Sequence, residues 1–386
     1  MLISDRFVTL TNFKRESAEK RIMTLIKPNP FVGDLIHYVP GKPVEELERE
    51  LGISGAVKIA SNENPLGPSP LAEKAIVDAV HNLNRYPDGD AFYLKQKLSE
   101  KLGVKRETII FGNGSNDVID IAARTFMQPG DEAIFGQYAF IVYPIVTQAV
   151  GAKAVISPMP DYKHDLRDMH SRITHKTRII FIANPNNPTG TVVLRDEFDW
   201  FMENVPEDIL VLVDEAYFEY VEDKDYPDSL DYQNLGKSMI TVRTFSKIYG
   251  LAGLRLGYGI ASEEIISNMH RVRHPFNSNS LAQVGAMAAL DDTGHIDRTR
   301  TLNREGLDYV KAELDKLHIP YAPSYTNFVL IDLKDDPMPV YNELLNEGVI
   351  VRPVAGYGLK THLRVTIGIR EENERFVRGI KKILGK

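Results

Sequence analysis

Lys247 follows an apolar run at 239–242 and stands in Thr244-Phe-Ser-Lys247-Ile-Tyr-Gly-Leu-Ala-Gly-Leu-Arg255. Such a run reads as a buried strand, so the lysine sits at a strand end with small hydroxyl residues before it and an arginine eight positions on. In a low-dielectric pocket beside other cations an ammonium loses its proton more readily, and the neutral amine can form a Schiff base with an aldehyde. The Thr244 and Ser246 hydroxyls and the Arg255 guanidinium suit a phosphate on the same ligand. Most lysines after strands simply face water, so the assignment depends on other segments.

Asp214 is the next such residue. The apolar stretch 208–213 runs into Asp214-Glu-Ala-Tyr217. A carboxylate ending a fully apolar strand is costly unless something positive meets it. A protonated pyridine nitrogen would serve, and keeping that nitrogen protonated is what makes pyridoxal phosphate an electron sink. A helix N-cap or a structural ion pair is the competing explanation. Tyr217 and Asn187, the latter within Asn184-Pro-Asn-Asn-Pro-Thr-Gly190, can each reach the hydroxyl of such a ring. Gly112-Asn-Gly-Ser-Asn-Asp117 separates a strand at 108–111 from a helix at 118–126. That geometry offers backbone N–H groups and a positive dipole end to an anion, although a tight turn alone would also explain the glycines.

The elements that must position these groups alternate. Strands are expected at 132–136, 152–157, 177–183 and 208–213, with helices at 138–149, 166–173 and 195–204 between them. This alternation implies a mostly parallel sheet covered on both faces. Ligands then collect beyond the carboxyl ends of the strands, where the residues above fall. Beyond Gly259 the pattern changes to helices at 262–273, 282–290 and 298–316, then strands at 327–333, 349–352 and 362–369 with helices at 339–347 and 371–384. The expected fold class is therefore α/β, a large sheet domain over 67–290 and a smaller βαβ-type domain over 291–386. Residues 27–66 lack enough core to stand alone and are expected to pack with the small domain.

The 386 residues carry a net charge of −7, and no stretch approaches the length of a membrane span. Scattered basic residues argue against nucleic acid as a partner, and the apolar runs are too short to cross a bilayer. The absence of cysteine excludes disulfides, thiolate catalysis and Cys-ligated zinc, and fits a cytoplasmic protein. Residues 1–26 read differently. Their basic residues are interrupted by Glu16 and Glu19 with no long apolar core after them, so a secretory signal is not expected. Met23 is a plausible natural start, with the residues before it a disordered leader; an amphipathic arm is the alternative.

Taken together, Asn187-Pro-Thr-Gly190, Asp214-Glu-Ala-Tyr217, Ser246-Lys247 and Gly253-Leu-Arg255 resemble the fold type I, aspartate aminotransferase-like pyridoxal phosphate enzymes. Within them the chain is most similar to the histidinol-phosphate aminotransferases, through Ser61-Asn-Glu-Asn-Pro-Leu-Gly67, Asn84-Arg-Tyr-Pro-Asp88 and Leu363-Arg-Val-Thr-Ile-Gly368. The resemblance, which covers about residues 28–384, implies that Lys247 bonds the cofactor aldehyde and moves the substrate proton. It also implies that Asp214 pairs with the ring nitrogen, and that Asn187 and Tyr217 hold the phenolic oxygen. Ser115, Asn116, Thr244, Ser246 and Arg255 would form the phosphate cup. Phe140 aligns with the aromatic that stacks on the ring. Tyr138 competes for that role, standing where the family usually has proline. Arg364 matches the arginine that grips the substrate carboxylate, and Tyr38 and Arg352 stand where the family contacts a distal substrate phosphate. Tyr86 matches the tyrosine that reaches the partner's cofactor in a homodimer.

The reaction so implied is transamination of imidazole acetol phosphate with L-glutamate, giving L-histidinol phosphate and 2-oxoglutarate in histidine biosynthesis. An aromatic amino acid aminotransferase or a threonine-phosphate decarboxylase would use the same residues. A cofactor-binding regulatory module is the non-enzyme alternative, but it needs a DNA-binding domain larger than the 26-residue leader.

Overall fold

A computed structural model describes residues 27–33, 35, 41–233 and 235–385. The chain divides into one unit ending at residue 36 and a second beginning at residue 37. In the first, residues 30–33 turn, with the Val32 N–H donating to the Asn29 carbonyl at 3.0 Å. The leader at 1–26, the start expected at Met23, and Tyr38 lie outside the described residues.

The second unit begins with helix α1 (Val44–Leu51), strand β1 (Val57–Lys58) and helices α2 (Pro70–Ala79) and α3 (Phe92–Leu102). Next come β2 (Ile109–Gly112), α4 (Ser115–Phe126), β3 (Glu132–Gly136), α5 (Val142–Ala149) and β4 (Lys153–Ser157). The alternation continues through α6 (Leu166–Ser171), β5 (Thr177–Ala183), α7 (Arg195–Asn204), β6 (Leu210–Asp214), β7 (Met239–Thr244) and β8 (Gly257–Ala261). Helices α8 (Glu263–His270), α9 (Ser280–Asp291) and α10 (Thr293–Lys316) lead to β9 (Phe328–Asp332), α11 (Met338–Asn346), β10 (Val349–Ile350), β11 (Arg352–Pro353), β12 (His362–Thr366) and α12 (Arg370–Ile383).

Seven strands form the main sheet in the order β2-β8-β7-β6-β5-β3-β4. The pairs β4–β3, β3–β5, β5–β6 and β6–β7 are parallel, and β8 runs against both its neighbours. Strand alternation sends Ile179 and Phe181 to one face, where they pack with Val118, Ile121 and Tyr143 of α4 and α5. Ile180 and Ile182 go to the other, against Met169 of α6 and Phe198 and Phe201 of α7. Both faces are thus dry, which is why these strands read as unbroken apolar runs.

Two features depart from the sequence reading. Strand β8 was not expected, because Gly257 and Gly259 weaken strand propensity. The glycines are there for space: a Cβ at 257 would strike the Ser115 backbone nitrogen, and one at 259 would come within 2.8 Å of Val118 Cγ1. The helix expected from residue 138 begins only at Val142, leaving Tyr138 and Phe140 in the loop above the sheet edge.

In the C-terminal part, β11, β12 and β9 form an antiparallel sheet, not a βαβ unit, and β1 pairs in parallel with β10. Val329, Ile331, Leu363 and Val365 of the sheet pack with Val310 and Leu314 of α10 and Phe376 and Ile380 of α12. Leu47 of α1 packs with Ala60 and Ile350, so the segment around β1 shares the core of the C-terminal strands.

Candidate active site

Beyond the carboxyl ends of β5, β6 and β7 lies a cavity of about 210 Å³. Its lining includes Ser115, Asn116, Phe140, Asn187, Asp214, Tyr217, Thr244, Ser246, Lys247 and Arg255, with Ala183, Pro185 and Ala216 completing the wall. Larger hollows exist, including one of about 510 Å³ between α10 and the start of α12, but this is where the buried lysine and carboxylate converge.

One end is built for an anion. Gly114 caps α4 at φ 84°, and the helix starts at Ser115, three residues earlier than the sequence pattern indicates. Its first N–H groups therefore open at the cavity. Arg255 is held at φ 57°, a left-handed conformation that costs a side-chain-bearing residue about 1–2 kcal/mol. Its Nη1 donates to the Ala252 carbonyl at 3.0 Å and to Ser246 Oγ at 3.4 Å. The guanidinium lies against Gly114 so closely that a Cβ there would collide with it. Thr244 Oγ1 donates to the Leu256 carbonyl at 3.3 Å and accepts from the Ser246 N–H at 3.1 Å. Two hydroxyls, a helix N-terminus and a guanidinium thus meet in one place.

The middle of the cavity holds the titrating groups. Asp214 ends β6 and is 5 % exposed. Its Oδ2 accepts from the Tyr143 hydroxyl at 2.8 Å and its Oδ1 from the Ala216 N–H at 3.2 Å. Burial raises its pKa to about 6, against the opposing pull of those two donors and of Lys247. Lys247 Nζ lies 3.3 Å from the Asn62 carbonyl and 3.4 Å from that of Ser61. Burial first, then the cations Arg364 and Arg255, bring its pKa down to about 8. Tyr217 is pushed up to about 12 by burial, so it stays protonated, and its oxygen accepts from Asn62 Nδ2 at 2.8 Å.

Arg364 lies on β12, facing away from the core residues Leu363 and Val365. It donates from Nη1 to Asn187 Oδ1 at 2.6 Å and from Nη2 to the Ala60 carbonyl at 2.7 Å. Phe140 lines the cavity, whereas Tyr138 belongs to a separate cluster with Tyr162, Tyr357, Val354 and Leu359. Arg352 is half-buried, its Nη1 3.4 Å from where a Cβ on Gly41 would stand, and it is the register partner of Arg364. Tyr86 lies away from this cavity's lining, 83 % exposed and stacked on Phe276 at 4.9 Å.

Sequence reasoning passed over two residues. Asn62, within 61–67, sits at φ 56°, its amide oxygen accepting from Thr366 Oγ1 at 3.0 Å while its Nδ2 holds Tyr217. Tyr143, three residues after Phe140, carries no sequence signal of its contact with Asp214, which lies 71 residues further on.

A lysine amine, a buried carboxylate and an anion cup at the carboxyl edge of a mostly parallel sheet define a class, and the chain belongs to it: the aminotransferase class I and II family, whose model matches residues 54–380. Among its relatives is the histidinol-phosphate aminotransferase of Moorella thermoacetica, 46% identical over 367 residues that make up 95% of each chain. Histidinol-phosphate aminotransferase 2 of Pseudomonas fluorescens is 50% identical over 359 residues, covering 92% of this chain and 97% of that one. A solved structure of histidinol-phosphate aminotransferase from Sinorhizobium meliloti, in complex with pyridoxal-5'-phosphate, has the same fold. Its TM-score is 0.86 at 24% identity, covering 94% of this chain and 99% of the other.

Proposed function

We propose that this chain is a pyridoxal phosphate-dependent aminotransferase that moves an amino group from L-glutamate to imidazole acetol phosphate, yielding L-histidinol phosphate and 2-oxoglutarate. The observation that carries the reading is the shared cavity: Lys247, with its pKa near 8, opens into the same 210 Å³ space as the buried Asp214 and the Arg255 cup. Its substrate is supported by 46% and 50% identity, over nearly the whole chain, to relatives that bear that name.

The residues fit the cofactor. Asp214, a carboxylate buried at the end of an apolar strand, suits a protonated ring nitrogen, and the helix N-terminus with Thr244, Ser246 and Arg255 suits a phosphate. Pyridoxal phosphate, when bound, supplies an aldehyde that takes up amines and a ring that withdraws electrons from the substrate Cα. Ser115 and Asn116 would hold the phosphate from the first turn of α4, Phe140 would cover the ring, and Asn187 and Tyr217 would donate to its oxygen. Asn187 suits this because Arg364 occupies its Oδ1 and leaves Nδ2 to donate.

Lys247 does the proton work. An amine with a pKa near 8 has a sizeable neutral fraction near neutral pH, so it can take a proton from the substrate Cα and return one. Arg364, anchored by Asn187 and Ala60, grips the α-carboxylate, and Arg352 with Tyr38 receives the distal phosphate of the ketone substrate. The protein acts as a cytoplasmic homodimer in which Tyr86 of each protomer completes the other's site. The large domain comprises residues 67–290 and the small one 291–386.

The test is a half-reaction screen. The bound chromophore should bleach with L-glutamate and with L-histidinol phosphate, and far more slowly with phenylalanine. Bleaching by phenylalanine as fast as by histidinol phosphate would assign the chain to an aromatic aminotransferase instead.

A further inference from the structure

We propose that Tyr143 is a positioning residue for the reaction: its hydroxyl orients the Asp214 carboxylate and its ring braces Phe140, the two side chains assigned above to the cofactor ring. The inference rests on that cofactor reading.

Tyr143 stands on the first turn of α5 and is fully buried. Its backbone N–H donates to the Phe140 carbonyl at 3.0 Å, which ties the loop bearing Phe140 to the helix. Its ring stacks on Phe181 of β5 at 4.8 Å with 10° between planes and meets Phe140 edge-on at 5.9 Å and 82°. Phe135 of β3 closes a third side at 6.4 Å. These ring contacts leave the side chain no freedom to turn, so the direction of the hydroxyl is fixed by aromatic packing.

That hydroxyl is the one polar group Tyr143 brings into an aromatic layer, where a phenol without a partner costs more than phenylalanine would. Its partner is Asp214 Oδ2, 2.8 Å away, and burial holds the phenol well above its ordinary pKa, so it remains a donor. With Ala216 N–H on Oδ1, both carboxylate oxygens are held from the protein side. A carboxylate has about four lone-pair sites, and those left over are turned toward the cavity that Asp214 lines. One side chain thereby sets the angle of the charge beneath the site and the place of the ring beside it.

The experiment is a double-mutant cycle on holoenzyme: Tyr143→Phe, Asp214→Asn and the pair. Cofactor affinity is read by serial dilution while following the bound chromophore, together with its absorbance spectrum and the unfolding midpoint. Phenylalanine keeps every ring contact, so the midpoint should hold within about 2 °C for a protein of this size. Losing a hydrogen bond to a buried charge should weaken cofactor binding about 10-fold and shift the chromophore band. In the Asp214→Asn background the same change should alter affinity less than about 2-fold, because the two groups act as one unit. An equal effect in both backgrounds, or none in the wild type, would make the hydroxyl a packing feature and overturn the inference. If Asp214→Asn by itself left affinity and spectrum unchanged, the reading of Asp214 would fall, and the role of Tyr143 with it.

Discussion

Arg364 Nη1 donates to Asn187 Oδ1 at 2.6 Å, across 177 residues of sequence. One comes from β12 in the C-terminal sheet and the other from the loop after β5 in the main sheet, so the contact bridges the two sheets over the site. Arg364 is 7 % exposed, and its guanidinium also holds the Ala60 carbonyl. A lysine there would keep the charge and lose the planar fork that holds Asn187 and Ala60 and, in the proposed function, a substrate carboxylate. Arg364→Lys should therefore lower kcat/KM about 100-fold for both amino donor and ketone, with cofactor affinity changed less than about 3-fold. Steady-state kinetics with each substrate, alongside cofactor titration, checks this.

Lys247 predicts how the apoprotein responds to pH. Its pKa falls from 10.5 unfolded to about 8 folded, so between those values the unfolded state binds the extra proton. Stability therefore rises with pH across that window, and the cost of burying the ammonium is fully present below pH 8. Lys247→Met removes the cost. Calorimetry of apoprotein at pH 7 should show the variant melting about 2 °C or more above wild type, with the margin shrinking as pH approaches 10. The same variant should lose at least about 10³-fold in kcat, since the group proposed to transfer the proton is gone. A melting margin independent of pH would count against a buried, titrating amine.

The sequence made the central sheet and most of the site legible because both rest on local chemistry. An apolar run that ends in Asp214 and another that leads toward Lys247 announce strands whose ends must be compensated, and such ends share one edge in a parallel sheet. What stayed hidden was decided by distant neighbours. Strand β8 is hidden by Gly257 and Gly259, because nothing local shows that Ser115 and Val118 need the space. Asn62 holds Tyr217 only because β12 brings Thr366 beneath it. Tyr143 reads as one more aromatic on a helix until β6 places Asp214 within 2.8 Å of it.

The tight fit at Gly257 gives a second route to the anion cup. A methyl group at this position would press on the Ser115 nitrogen and on Gly114, displacing the N-terminus of α4 through its backbone. Overpacking of this kind costs about 1–3 kcal/mol. Gly257→Ala should therefore lower the melting temperature and weaken cofactor binding about 10-fold, as misplaced N–H groups lose their hydrogen bonds. Arg255→Gln should match the loss of affinity while leaving melting nearly unchanged. Equal cofactor affinity in Gly257→Ala and wild type would show that the first turn of α4 does not hold the phosphate.

Tyr86 offers the sharpest test of the proposed homodimer. The residue is 83 % exposed and its ring stacks on Phe276, itself 47 % exposed. An exposed aromatic pair of this kind is what an interface with a second copy would cover. If each Tyr86 serves the other protomer's site, a hybrid of one Tyr86→Ala chain with one Lys247→Ala chain contains a complete site. The Lys247 of the first chain then works with the intact Tyr86 of the second. Such hybrids, isolated with two affinity tags, should recover about half the activity of the wild-type dimer. Each parent homodimer should be impaired, Tyr86→Ala by about 10-fold in cofactor affinity. Were Tyr86 to act within its own chain, the hybrid's only lysine-bearing site would lack the tyrosine, and its cofactor affinity would equal that of the Tyr86→Ala homodimer.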